Sequence, residues 1–369
     1  MRPSATPPTT TPSGVHPSRG RITDVPGVSV GHHTDRENGT GCTAILVDNP
    51  AVGGVDVRGA APASRETDVL RPLATIEHCH GVVLSGGSVF GLEAATGVVR
   101  YLEKQGHGLR FGRAVIPLVA SACIFDLGFI THLVRPTAED GYRAAEGAGA
   151  EFDLGTAGAG TGATVGKLRG KDQSVKGGVG TASVALGDGI YVGALVVTNA
   201  VGSIVDPETG AVVAGPRVSP EYRGYRESVE PGYFENTLDA LVDDPPPMRD
   251  LLGVRNTSNT VIGVVATNAG LDKKAANRFA GAGQDAIAMA VRPAHMAGDG
   301  DTVFALATGQ HPGVSGENAI PGIEDRLRAA AMRAVTGAIL SSIENATGLG
   351  GVPSAAEHLA AMKEQGERG

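Results

Sequence analysis

Two long apolar stretches, LDKKAANRFAGAGQDAIAMAVRPA from Leu271 and PGIEDRLRAAAMRAVTGAILSSIENA from Pro321, limit most strongly how this chain can fold. Their apolar residues recur at helical spacing over a length no strand reaches. Leu271 and Asp272 predict a staple and an N-cap for the first. Each stretch follows a short apolar run, VIGVVAT from Val261 and TVFALATG from Thr302, and both runs read as strands. Upstream, GRITDVPGVSVGHH, GCTAILVD and AVIPLVASACIFDL are also strand-rich, and CHGVVLSGG reads as a buried strand ending at Gly86-Gly87. SVFGLEAATGVVRYLEKQG predicts a helix from Ser88, PTAEDGYRAAEGAGA another near Pro136, and a helix start is expected near Thr67–Asp68. SVKGGVGTASVALGDGIYVGALVVTNAVG predicts two strands joined at Gly187-Asp188-Gly189. Strands and long helices without regular βαβ alternation predict an α+β layered fold.

Glycine is abundant, at 55 residues, while aromatics are only 4%. In apolar context such glycines predict tight turns and close backbone packing rather than disorder. Residues 1–20 are Pro/Thr/Ser-rich without an apolar core; they read as a disordered tail and not a secretory signal. Residues 21–369 read as one domain. Within it, 207–255 are polar and Pro-rich, and predict an excursion or flexible linker.

The balance of 31 basic and 39 acidic residues gives a net charge of −8, with no basic run, so nucleic acid is not an expected partner. No apolar run approaches the roughly 20 residues that cross a bilayer, so a cytoplasmic protein with no membrane partner is expected. Cys42, Cys79 and Cys123 are widely spaced and odd in number, which argues against a disulfide scaffold. His78-Cys79-His80 reads as a strand nearing the core, because strand neighbours face opposite ways. No metal is expected.

GAGTGATVGK invites a phosphate-loop reading and fails it. Thr161 stands where the first glycine is needed, and Leu168 where Ser or Thr is needed. Gly158, Gly160 and Gly162 give GxGxG rather than a dinucleotide fingerprint. Lys167 and Lys176 remain as candidate functional groups in a charge-poor run. Asp299 and Asp301 are either a turn that caps a strand or a carboxylate pair that orients an ammonium or tunes a base. Asn259-Thr260 reads first as a turn before a strand. Cleavage before Thr260 would place an α-amine, titrating near pH ~8, beside its own hydroxyl and so supply the base a threonine nucleophile needs.

Many segments agree in order with one family: VDVRGAAPASRETDVL, VVLSGGSVFGLEAATGV, IPLVASACIFDL, GAGTGATVGK, KGGVGTAS, LVVTNAVGSIVD, SNTVIGVVATNA and RPAHMAGDGDTVFALATG. On these motifs the chain resembles the self-processing aminopeptidases typified by L-aminopeptidase D-Ala-esterase/amidase and β-peptidyl aminopeptidases, nearest to the nylon-oligomer (6-aminohexanoate) hydrolases. The resemblance implies an α-β-β-α sandwich like that of N-terminal-nucleophile hydrolases. It also implies a precursor cut into 21–259 and 260–369, no cofactor, a small amide or peptide substrate and a homo-oligomer, by analogy a tetramer. By the same resemblance Thr260 matches the nucleophile and Asn259 the residue before the cut. Asn199 matches an oxyanion-side or orienting asparagine, and Asp299 with Asp301 the acidic pair. Lys167 matches a site lysine and Lys176 a shared KGG motif, with no choice between them. Ser88 and Phe125 fall at the substrate, and Phe125 stands where characterised members carry tyrosine, so a phenol donor is lost. The alternatives are an aminopeptidase or D-amino-acid amidase, and an uncleaved binding relative without activity.

Overall fold

A computed structural model describes residues 19–218, 234–243, 259–311 and 322–366. Residues 219–233 and 244–255 of the expected linker and all but the last two residues of the expected tail lie outside the described residues. Strands β1 (Val28–Asp35), β2 (Thr40–Val57), β3 (Ser64–Arg65) and β4 (His78–Ser85) precede helix α1 (Ala94–Lys104). β5 (Leu109–Phe111), β6 (Ala114–Ile116) and β7 (Val119–Cys123) lead to α2 (Ala138–Glu146). The short β8 (Thr164–Val165) and β9 (Val175–Lys176) come before the long hairpin of β10 (Gly178–Gly187) and β11 (Ile190–Asn199). Then follow β12 (Ser203–Val205), β13 (Val212–Ala214), α3 (Thr237–Asp243), β14 (Thr260–Thr267) and α4 (Lys273–Ala290). β15 (Val291–Arg292), β16 (Thr302–Ala307), α5 (Ile323–Glu344) and α6 (Ala355–Gly366) complete the described chain.

The main sheet runs β10-β11-β14-β16-β2-β4-β7-β3, with β1 also paired to β2. Its β14–β16 and β4–β7 pairs are parallel. β2 serves both halves of the sheet. Cys42–Leu46 pair with β4, the register breaks between Leu46 and Ala51, and Val52–Val57 pair with β16. The two halves thereby face each other across a shared core. Leu195, Ile262, Val264 and Phe304 from one half meet Ile45, Val82, Leu84 and Ala122 from the other. The outer face of the first half, with Val196, Val261, Val265 and Val303, is covered by Phe279, Ile287, Leu327 and Ile339 of α4 and α5. The outer face of the second, with Ala44 and Val83, is covered by Val98, Leu102 and Ala144 of α1 and α2. The layers are therefore α-β-β-α, as the resemblance implied. Every residue of β14 is buried, and its side chains alternate between two cores. Each large apolar side chain so placed contributes about 1.5–3 kcal/mol.

The glycine expectation has a physical counterpart where α1 crosses α2. A Cβ on Gly97 would stand 1.7 Å from the Ala138 carbonyl oxygen, and one on Gly141 would stand 1.9 Å from that of Ala94. Any larger residue would push the helices apart. The hairpin turn places Asp188 at φ +51° and Gly189 at φ +78°, the left-handed pair that matches strand twist. Asp272 caps α4 by accepting the Ala275 N–H at 2.7 Å.

Three local expectations need correction. The helix expected near Thr67–Asp68 is one 3-10 turn, Asp68–Leu70. The segment from Ser88 starts as 3-10 turns, Ser88–Glu93, and becomes α-helical only at Ala94. The described parts of 207–255 hold β13 and α3, because Ala214, Phe234 and Ala240 are drawn into buried positions out of an otherwise polar stretch. α6 has no counterpart in the sequence reading. All three cysteines are free and buried. Among the described residues no helix is long and apolar enough to cross a membrane.

Candidate active site

Thr260 is the first residue of β14, and its strand partner is Asn199, the last residue of β11. The antiparallel pairing thus brings together two residues that the chain separates by a polar excursion. On the other side of β14, Asn259 forms a bridge with Asp299, just ahead of β16. The turn Asp299-Gly300-Asp301 therefore lies directly against the Asn259–Thr260 peptide. Asn259 and Thr260 are 3% and 4% exposed, so this peptide bond is closed to bulk solvent.

Two donors converge on the carbonyl oxygen of Asn259. The Thr260 hydroxyl donates at 2.5 Å, and the Gly300 N–H donates at 3.0 Å. Gly300 has room for no side chain, since a Cβ there would stand 2.9 Å from the Ala61 oxygen and 3.0 Å from Thr260 Oγ1. Asp301 accepts the Val261 N–H on Oδ1 at 2.7 Å. Asp299 accepts the Met296 N–H on Oδ2 at 2.7 Å, while its Oδ1 is buried with no hydrogen-bond partner among the described residues. Burial, then repulsion from Asp301, pushes the Asp299 carboxyl up to about 7.

Lys167 closes the other side. Its Nζ donates to the carbonyl oxygen of Asn199 at 3.0 Å and to Asn199 Oδ1 at 2.9 Å. The Thr164 N–H donates to the same Oδ1 at 3.0 Å. Asn199 Nδ2 donates one hydrogen to the Phe125 carbonyl at 3.2 Å, leaving its second hydrogen available. Burial is the main cause that lowers the Lys167 ammonium to about 7, with Asp299 opposing the shift. A buried lysine near neutrality thus holds the strand partner of Thr260, and a buried carboxyl near neutrality bridges Asn259 on the other side, the kind of pairing that acid–base chemistry uses.

The structure does not bring Lys176 to this place. Its Nζ donates to the Thr161 and Ala163 carbonyls at 2.8 and 2.5 Å and lies 4.5 Å from the Phe129 ring centre. Phe125 meets the site through its backbone carbonyl. Ser88 joins the adjoining segment by donating its N–H to Ile124 at 2.9 Å. Both are partly exposed. Asp126 pins these segments together, accepting the Gly87 N–H at 2.7 Å and the Thr40 hydroxyl at 2.8 Å.

Sequence reasoning missed two participants. The Gly300 N–H has no side-chain signature. His295 is a lone histidine in RPAHMAGDGD, six residues before Asp301, and nothing in its spacing marks it. Its ring Nδ1 lies 2.8 Å from Asp301 Oδ2.

Comparison with known proteins identifies the family and the fold. The model of peptidase family S58 matches residues 20–356. An uncharacterized aminopeptidase of Mycobacterium tuberculosis is 40% identical over 348 residues, covering 90% of this chain and 96% of its own length. A 6-aminohexanoate-oligomer endohydrolase of Paenarthrobacter ureafaciens is 35% identical over 287 residues, covering 77% of this chain and 74% of its own. Among solved structures, the L-aminopeptidase D-Ala-esterase/amidase of Ochrobactrum anthropi, described as a variant of the Ntn hydrolase fold, aligns with a TM-score of 0.66 at 22% identity over 96% of both chains. A Burkholderia β-aminopeptidase aligns with a TM-score of 0.64 at 22% identity over 94% of both. At these identities the two solved structures speak for the fold alone.

Proposed function

The chain belongs to peptidase family S58 and is an amide hydrolase, and from that premise we propose that Thr260 is its nucleophile, freed as a first residue when the chain cuts itself after Asn259. The observation that carries this reading is the Thr260 hydroxyl 2.5 Å from the Asn259 carbonyl oxygen, with the Gly300 N–H on that same oxygen. A hydroxyl held against its own upstream carbonyl needs only a small rotation to attack the carbonyl carbon.

In self-cleavage, Thr260 Oγ1 adds to the Asn259 carbonyl carbon and its proton passes to the Thr260 nitrogen. Gly300 N–H receives the negative charge that develops on the oxygen. The C–N bond breaks, leaving an ester on Oγ1 and a free α-amine on Thr260. Water then hydrolyses the ester, giving a carboxylate on Asn259 and restoring the hydroxyl. In turnover the same hydroxyl attacks a substrate amide. The α-amine takes the hydroxyl proton and delivers it to the departing amine, and water clears the acyl-enzyme. Asn199, through its second Nδ2 hydrogen, serves the oxyanion side. Lys167 holds Asn199, and Asp299 with Asp301 orient the new terminus. Ser88 and Phe125 border the substrate. No step needs a metal or organic cofactor.

The substrate class is small amides: short peptides or 6-aminohexanoate oligomers. The relatives named aminopeptidase and 6-aminohexanoate-oligomer endohydrolase support both members of that class. A gel tests the mechanism. Wild type runs as pieces of 259 and 110 residues, and Thr260→Ala stays whole. A single full-length band from active wild type overturns it. Amino-acid p-nitroanilides, β-peptides and 6-aminohexanoate oligomers then sort the substrates. Native mass tests the tetramer carried by the resemblance.

A further inference from the structure

Asp301 reaches the start of β14 through one contact, the Val261 N–H on Oδ1. Its other oxygen is held twice by one residue. Oδ2 accepts the backbone N–H of His295 at 3.1 Å and faces ring Nδ1 at 2.8 Å. His295 has φ +58°, a left-handed conformation that costs a residue with a β-carbon about 1–2 kcal/mol. In that conformation main chain and ring converge on one carboxylate oxygen, which is reason for the strain to be retained. The far ring nitrogen, Nε2, lies 3.3 Å from the Gln284 carbonyl. Both ring nitrogens therefore face acceptors, and a ring carrying both protons satisfies both. The other charged groups nearby are committed elsewhere: Arg58 to Asp56 and Asp285, and Asp299 to the Met296 N–H.

We propose that His295 is a positioning residue for Thr260, acting through Asp301: it fixes the carboxylate that fixes the Val261 N–H, and so sets the bearing of the Thr260 hydroxyl. The proposal rests on the reading of Thr260 as nucleophile. Three N–H donors leave the Asp301 carboxylate a single orientation. Once the bond before Thr260 breaks, the Val261–Asp301 contact is a side-chain hold on the new end of β14. Without the ring, Oδ2 keeps only the backbone donor and the carboxylate is free to swing.

The test uses the full chain and follows self-cleavage in time after cell-free synthesis. His295→Gly keeps the left-handed backbone and its N–H but removes the ring. His295→Asn tolerates the same φ and restores a side-chain donor. Tm is read for each in a Thr260→Ala background, where the chain stays whole. The expected result is a self-cleavage rate lowered about 10- to 100-fold in His295→Gly, the scale of a small misplacement of reacting atoms. Most of the rate returns in His295→Asn while both variants still melt cooperatively. Should His295→Gly fail to melt cooperatively, His295→Ala takes its place in the same comparison. Wild-type rates in both variants overturn the proposal, as does slowing that merely tracks Tm without recovery in His295→Asn. If Thr260→Ala itself splits, the nucleophile reading falls. If Thr260→Ala stays whole and His295→Gly cleaves normally, only the positioning role falls.

Discussion

Lys167 and Lys176 have nearly the same electrostatics and different neighbours. Both are buried, both donate to two carbonyl-type oxygens, and burial lowers both to about 7. Lys167 holds Asn199, the strand partner of Thr260. Lys176 ties the carbonyls of Thr161 and Ala163 beneath the glycine-rich loop and sits by Phe129. A perturbed lysine therefore reports burial, and what it touches decides what it does. In our reading Lys167 serves the chemistry and Lys176 serves the loop.

The largest expected effect comes from removing each ammonium in turn. Lys167→Met is expected to lower self-cleavage and hydrolysis about 100-fold or more, the scale of losing a preorganised polar group at a reacting centre. Lys176→Met should leave chemistry within a few-fold but cost about 1–3 kcal/mol for the lost donor to the Thr161 carbonyl, since the Ala163 carbonyl keeps the Gly177 N–H at 3.0 Å. Activity assays separate the two, beside urea unfolding of each variant in a Thr260→Ala background where the chain stays whole, and equal activity losses would break the contrast.

Next in size is the pH response of stability. An unfolded lysine stays charged to about pH 10, whereas either buried lysine gives up its proton near 7. Between those values the unfolded chain holds more protons, so these groups make stability rise with pH from about 7 upward. Each Lys→Met variant should flatten that rise by a similar amount, because burial is shared where chemistry is not. Asp299 has the opposite sign. Its folded value near 7 exceeds the unfolded value near 4, so it contributes stability below pH ~4 that is lost as pH rises through 7. Asp299→Asn should remove that fall, seen as a urea midpoint that declines less between pH 4 and 7. The smallest effect is expected from Phe125→Tyr. Phe125 meets the site through its carbonyl, so an added phenol should change hydrolysis by no more than about 10-fold, measured as kcat/KM; a larger gain would make a side-chain donor there central.

Much of the fold was legible because periodicity survives without tertiary context. The two long helices, the strand from Thr260, the hairpin at Gly187–Gly189 and the cap at Asp272 could all be read from spacing and turn chemistry. β13 and α3 were not, since a few apolar residues in a polar, Pro-rich stretch carry no period, and their burial depends on a core built elsewhere. At the site, the motifs named Thr260, Asn199 and the acidic pair, but spacing left Lys167 and Lys176 unresolved. Their folded contacts tell them apart: Lys167 Nζ reaches Asn199, which β11 pairs with Thr260, and Lys176 Nζ reaches the Thr161 and Ala163 carbonyls. The Gly300 N–H and His295 were invisible for different reasons: every residue but proline has an amide hydrogen, and a single histidine makes no pattern.

The position of β14 and β16 has a consequence in time. They lie between β11 and β2, in the middle of the sheet, yet both come after Asn259. On the reading proposed above, a cut there hands the central strands to the shorter piece. The intact chain closes this sheet as one molecule, at a rate independent of concentration. A matured molecule that unfolds must instead find its second piece in solution, a second-order search in which each fragment exposes open strand edges that favour aggregation. If the chain cuts itself as proposed, self-cleavage works as a ratchet. Folding before the cut is reversible, and afterwards the enzyme lasts only as long as its first folding holds.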